Sequence, residues 1–155
     1  ELTVEITGPY DPDIDIPKLQ YFRLRDEALS RLGHQAADQV EEIEMLDDEI
    51  RSVLEYLFEE RFPESPLNSV IDRLRTDSGT DQLAYAVDLW DQLLASESIT
   101  QADLEALATA RADAIRTAFL AGGEFSADRI SLAAPAQAGP GGGEWVTTEL
   151  GVATG

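Results

Sequence analysis

The first seven residues, ELTVEIT, alternate without interruption, with Leu2, Val4 and Ile6 on one side and Thr3, Glu5 and Thr7 on the other. A two-residue period of this kind predicts a strand with one buried face. Gly8-Pro9 and Pro12 end it, and the acidic turn YDPDID leads into a helix from about Pro17. The stripe Leu19, Phe22, Leu29 and Leu32 carries that helix to a stop at Gly33. From Ala36 to Phe62 the period is again helical. Ile43, Leu46, Ile50, Val53 and Leu57 alternate spacings of three and four, while Glu42, Asp48 and Glu55 lie off the stripe. The run is too short to claim a coiled coil.

Pro63 and Pro66 break the chain, and Ser65 before Pro66 reads as a helix cap with proline at the first helical position, opening a short helix to Leu74. TDSGTD is a loop. Thr80 then caps a helix whose inner face is Leu83, Val87, Trp90 and Leu94. Thr100 with Asp103 forms a capping box, with Ile99 placed to staple onto Leu104, and the helix that follows runs to about Ala121 before Gly122-Gly123. Arg129 to Ala134 and residues 144 to 152 read as two further strands around the glycine-rich tip GPGGG, a C-terminal hairpin. The pattern predicts an α+β fold, a small sheet of the N-terminal strand plus that hairpin, covered by helices. Residues 1 to 7 should pair with 129 to 134.

Composition changes the picture in one respect. Thirty-one acidic residues against 11 basic ones give a formal charge of −20. Such a surface repels phosphate backbones and anionic membranes, so nucleic-acid binding is excluded as a function class. The chain has no cysteine and one histidine. Thiolate zinc sites, disulfides and the usual nucleophilic triads are therefore ruled out, and neither a cofactor nor a metal is expected. No apolar run reaches the length of a membrane span. The chain opens directly on a strand with no initiator methionine, which suggests a piece of a longer protein.

The candidate chemistry is sparse. Asp11, Asp13 and Asp15 alternate like the opening of a calcium loop, but Ile16 stands where that loop needs glycine and Phe22 where it needs glutamate. A solvated acidic turn is the preferred reading. GPGGG is followed by no Gly-Lys-Ser/Thr and so is not a phosphate loop. His34 follows a helix-ending glycine and is expected to be exposed. Arg111 is the informative residue, because it interrupts an apolar neighbourhood of Ala108, Ile115 and Ala118. It either pairs with a nearby acid while its stem covers apolar surface, the preferred reading, or fixes a guanidinium to grip a carboxylate.

The segment L-x-x-x-R-A-x-x-I, followed by A-G-G, D-R-I and an alternating strand, resembles the closing half of the OmpA-like domain. Leu107, Arg111, Ala112, Ile115, Leu120, Gly123 and Ile130 carry the likeness. In that family an aspartate after a strand and an arginine on the following helix hold the carboxylate of peptidoglycan diaminopimelate. The resemblance implies Asp11 in the first role and one of Arg111, Arg23 or Arg25 in the second. Arg23 and Arg25 are the partners nearer in sequence, and Leu19 to Arg23 repeats the L-x-x-x-R spacing. PDID replaces the family's glycine and asparagine after the aspartate, so peptidoglycan binding is expected to be weak or absent.

Across nearly its whole length the chain is similar to the C-terminal region of large AsmA-like proteobacterial envelope proteins, which carry a domain of unknown function. The order of G-x-x-D-P after a strand, an arginine-bearing helix, an acidic helical block and R-A-x-x-I-R supports this likeness. It implies a single domain, 1–155, with OmpA-like elements at about 1–34 and 99–153 and a helical insertion at about 36–98. It further implies a non-enzymatic periplasmic interaction module, at the end of an inner-membrane-anchored protein concerned with outer-membrane and lipid homeostasis. Its partner would be an envelope protein or a second copy, met through the Ile43 to Leu57 stripe, although most residues of that stripe are expected to pack internally on the other helices. A peptidoglycan anchor is the alternative, and a carboxylate-pair hydrolase is the least supported class.

Overall fold

The computed structural model describes residues 2–33, 43–123, 125–139 and 146–154. In chain order its elements are β1 (Leu2–Thr7), β2 (Pro9–Tyr10), α1 (Pro12–Arg31), α2 (Asp48–Arg61), α3 (Leu67–Leu74), β3 (Arg75–Thr76) and β4 (Gly79–Thr80). These are followed by α4 (Gln82–Ser96), α5 (Gln101–Ala121), a 3-10 turn (Ala127–Arg129), β5 (Ile130–Leu132), β6 (Ala136–Gln137) and β7 (Glu149–Thr154). This is an α+β protein, as the pattern predicts. The chain divides into two compact units, one made of Glu1–Leu19 with Ile99–Gly155 and the other of Gln20–Ser98. No helix among the described residues is long and apolar enough to cross a membrane.

In the first unit β1 is the central strand of the order β5-β1-β7. It pairs in parallel with β5, Val4 with Ile130 and Ile6 with Leu132, as expected. It pairs antiparallel with β7, from Leu2 with Thr154 to Thr7 with Glu149. The two C-terminal strands therefore flank β1 and do not form a hairpin with each other. After β5 the chain keeps its direction instead of turning back. Ala133 donates to the Ile6 carbonyl, Ala136 to Gly8 and Ala138 to Tyr10, which builds a short parallel pair of β2 with β6. Of the strand expected over 144–152, residues 144 and 145 lie outside the described residues, and the ladder starts at Glu149.

The alternation of β1 decides what it buries. Val4 and Ile6 pack with Ala112 and Ile130, joined by Ile115, Phe119, Phe125 and Leu132, while Thr3 and Glu5 stay exposed. That is the usual economy of a sheet covered on one side. Gly8 sits where β1 passes into β2, against α5. A Cβ there would lie 2.0 Å from the Ala108 carbonyl oxygen, so the close approach of strand and helix requires glycine. A second cluster follows immediately, Tyr10 with Leu104 and Ala108, closed by Ile16, Leu19 and Ile99. Thr100 and Asp103 make the expected capping box of α5, and Ile99 and Leu104 share this cluster as a staple should.

Helix α1 begins at Pro12, five positions before the expected start. Asp11 is its cap. Its carboxylate accepts from the Asp13 N–H at 3.0 Å, its carbonyl accepts from Ile14 and Asp15, and Pro12 takes the first helical position. Pro17 removes one helical hydrogen bond, the one that would reach back to Asp13. Both residues lie on the exposed side of the helix, where water can serve the freed carbonyl.

The second unit is built around Leu24, Ala28, Leu54, Leu57, Phe58, Val70, Tyr85, Leu89, Trp90 and Leu93. Its helix α2 starts at Asp48, capped by Asp47, whose carboxylate accepts from Glu49 and Ile50. The helix expected from Ala36 is shorter than its periodicity suggested. Residues 36–42 lie outside the described residues, and Ile43 to Leu46 precede the helix. Ile50, Leu57 and Phe58 are buried in the core with Ile43 and Val53 packed against it, so the stripe is largely consumed by internal packing, as expected for most of its residues, and Leu46 alone of the stripe stays exposed. In α4 the cap is Asp81 rather than Thr80, and the buried face is Tyr85, Ala86, Leu89, Trp90 and Leu93. Leu83 and Val87, expected inside, are exposed. This helix is apolar on most sides, so its period alone does not select the face. Packing on α2 and α3 does. TDSGTD, read as a loop, closes a small hairpin of β3 and β4 with Gly79 at φ +108°.

Candidate functional site

Three segments of the first unit converge on one guanidinium. Arg111, in the middle of α5, points its head at the start of α1 and at β2. One terminal nitrogen donates to Asp15 Oδ2 at 2.8 Å and to the Pro9 carbonyl at 3.0 Å, and the other donates to Asp15 Oδ1 at 2.6 Å. This is the bidentate fork for which arginine is suited. Asp15 is fully buried, whereas the Arg111 side chain keeps 30% of its surface exposed. The sequence reading that paired Arg111 with a neighbouring acid is the one the geometry fits. The expectation that Asp13 and Asp15 belong to a solvated turn fails at Asp15, which lies inside.

Asp15 has a third donor. The Asp11 backbone N–H reaches Oδ2 at 2.8 Å, so the two carboxylate oxygens together accept three hydrogen bonds. Burial alone would push the Asp15 carboxyl up. The Arg111 hydrogen bonds, the Asp11 amide and the nearby charges of Arg111 and Lys18 outweigh it and hold the group below its ordinary value. The pair is thus a charged one, closed on itself.

The four residues singled out from the sequence fall in different places. Asp11 and Arg111 lie close to one another in the first unit, but Asp15 stands between them as the acid that Arg111 holds. The Asp11 carboxylate caps α1 instead. Arg23 and Arg25 belong to the second unit. Arg23 donates to the Ser98 carbonyl at 3.1 Å. Arg25 grips Asp26 through two nitrogens at 3.0 and 2.8 Å and lies over the Phe22 ring. His34 lies outside the described residues. Asp15 is the residue that sequence reasoning missed as a partner. Its signal was its position between Ile14 and Ile16, in a segment that packs one side on the core.

A second charged cluster occupies the other unit. Arg61, at the end of α2, binds Glu27 and reaches Glu97 at 2.6 Å, while its other nitrogen donates to the Leu93 carbonyl and to Ser96 Oγ. Arg31 adds Glu60 at 3.0 Å. These bonds tie α1, α2 and the end of α4 together. Among the described residues no group of three or more His, Cys, Asp or Glu could hold a metal ion. No protein-family model matches the chain, and no match was found among curated proteins or solved structures.

Proposed function

We propose that the chain is a non-enzymatic interaction module of a cell-envelope protein, working in the periplasm as part of a longer, inner-membrane-anchored polypeptide. The resemblance to AsmA-like C-terminal regions supports the compartment. The closed Asp15–Arg111 pair supports a role other than peptidoglycan anchorage. A guanidinium that is to grip a ligand carboxylate needs its fork free, and here Asp15 occupies both prongs. The protein supplies its own carboxylate in the place of the ligand's.

Titration of the chain with meso-diaminopimelate and with muropeptides, followed by amide chemical shifts, tests this reading. Shifts at Tyr10 to Asp13 and around Arg111 should stay at background. Saturable, local shifts there, abolished by Arg111→Ala in a variant that still folds, would replace the module with the anchor. Fractionation of cells making the whole parent protein tests the compartment. Recovery of this segment on the cytoplasmic side would contradict it.

A further inference from the structure

The two edges of the first unit's sheet are unlike. β5 is three residues long, opens from a 3-10 turn and is soon followed by Pro135, a short edge of the kind that discourages further pairing. β7 is six residues long, and among the described residues no strand lies on its outer side. From Leu150 to Thr154 it has no charge and no proline, in a chain otherwise dense with acids. Apart from Glu149 at its first position, the charges and prolines that normally guard an edge are missing from this strand, and no other strand among the described residues pairs with its outer side.

The side chains of β7 add a second observation. Leu150 and Val152 stand opposite Ile6 and Val4 in the ladder, and directly opposed residues share a face of the sheet. Ile6 and Val4 are buried, whereas Leu150 is 48% exposed and Val152 62%. The apolar face therefore continues one strand beyond its cover.

We propose that the outer edge of β7 receives an extended, net-basic segment of a partner protein. It adds a fourth strand and lays alternate apolar side chains beside Leu150 and Val152. The proposal rests on the interaction-module reading and names the surface that reading needs. Main-chain pairing supplies affinity in this mode and alternate side chains supply selectivity. Charge selects the occupant. A second copy would bring another formal −20 to the same place, a repulsion that is strong within a Debye length of about 10 Å at 0.1 M salt. A lysine- or arginine-bearing strand instead enters an attractive field.

The test uses the whole 155-residue chain and three short peptides: lysine alternating with valine, glutamate alternating with valine, and the lysine peptide with two central prolines at equal charge. Amide shifts and hydrogen exchange are read along β7. The lysine–valine peptide should give saturable shifts and slowed exchange confined to Leu150–Thr154 and its flanks. The proline version should bind about tenfold more weakly or less, because it cannot complete the ladder. Val152→Lys should weaken binding while the amide shifts of β1 stay in place. Equal binding of the proline peptide, shifts spread over the acidic helices, or equal binding of the glutamate peptide would each overturn the proposal. Protection of β7 that grows with protein concentration and needs no peptide would seat a second copy there instead. Failure here leaves the interaction module intact with another surface, whereas muropeptide shifts at Tyr10 to Asp13 would remove the module itself.

Discussion

Asp15 and Arg111 are joined by two hydrogen bonds of 2.6 and 2.8 Å, although 96 positions separate them in sequence. The acid is fully buried and the base is partly open to water. The pair pins the first turn of α1 to the middle of α5, and the extra bond to the Pro9 carbonyl brings β2 into the same joint.

Removing one partner leaves the other stranded. Arg111→Ala keeps the buried Asp15 carboxylate with the Asp11 amide as its remaining donor. It should lower the stability of the first unit by about 2–4 kcal/mol, less than for a wholly buried pair because Arg111 is partly solvated. Asp15→Leu combined with Arg111→Met should recover a substantial part of that loss, since no charge then stays buried. Urea unfolding followed through the amides of β1 measures both. A double variant as unstable as the single one would show that the loss is not electrostatic.

The same pair sets a pH dependence. Asp15 titrates below its ordinary value of 3.8 in the folded protein. It therefore binds its proton more readily when unfolded, and its contribution is fully present above that value and lost as pH falls through the folded one. Stability should decline below about pH 4–5, and Asp15→Asn should flatten that decline while lowering stability at neutral pH. Unfolding curves between pH 7 and pH 2 decide the matter. Parallel pH profiles for the two proteins would assign the acid sensitivity to other carboxylates.

Gly8→Ala places a methyl against a backbone oxygen that cannot rotate away. A loss of about 3 kcal/mol or more is expected, at the upper end of overpacking effects. Gly33→Ala is the control. It has open space around the new methyl but a φ of +80°, and should cost only about 1–2 kcal/mol. Thermal unfolding of the two variants should separate them clearly, and equal losses would show that β1 can lift from α5.

Tyr85 offers the opposite case. It is buried on α4, and its hydroxyl makes no hydrogen bond of normal geometry, although the Glu55 carboxylate stands close enough to interact with it. Burial, with the negative charge of Glu55 beside it, pushes the phenol far above its usual range. Tyr85→Phe removes a desolvated hydroxyl and should leave stability unchanged or raise it by about 1 kcal/mol. A clear loss in urea unfolding would mean that the hydroxyl is satisfied in solution.

What the sequence made legible was local. Thr100 with Asp103, Ile99 with Leu104, the stop at Gly122-Gly123 and the alternation of β1 each lie within a few residues, and each appears in the structure as expected. The pairing of residues 1–7 with 129–134 was also recoverable, because both segments needed the same cover. The failures were non-local. Nothing near Ile130 or Leu150 in the chain reveals that β1 would lie between their strands. The period of α4 fits two faces, and only α2 and α3 choose between them. Arg111 announced a need for an acid, but a chain with 31 acids offers too many. Asp11 drew the eye by its place after a strand, while Asp15, one helical turn further on, takes the guanidinium.

The central position of β1 has a consequence for the order of events during synthesis. Leu2 meets Thr154 and Val4 meets Ile130, so β1 waits for partners that are made well after it. Gln20–Ser98, which forms its own compact unit, can collapse while the ribosome is still working, and its collapse shortens the span that the sheet must close. The first unit is then expected to form late and slowly, as pairings between distant segments do. Until Glu149–Thr154 has been released, Val4 and Ile6 lack one of their two neighbouring strands, and that interval is when the nascent chain is most open to misassociation.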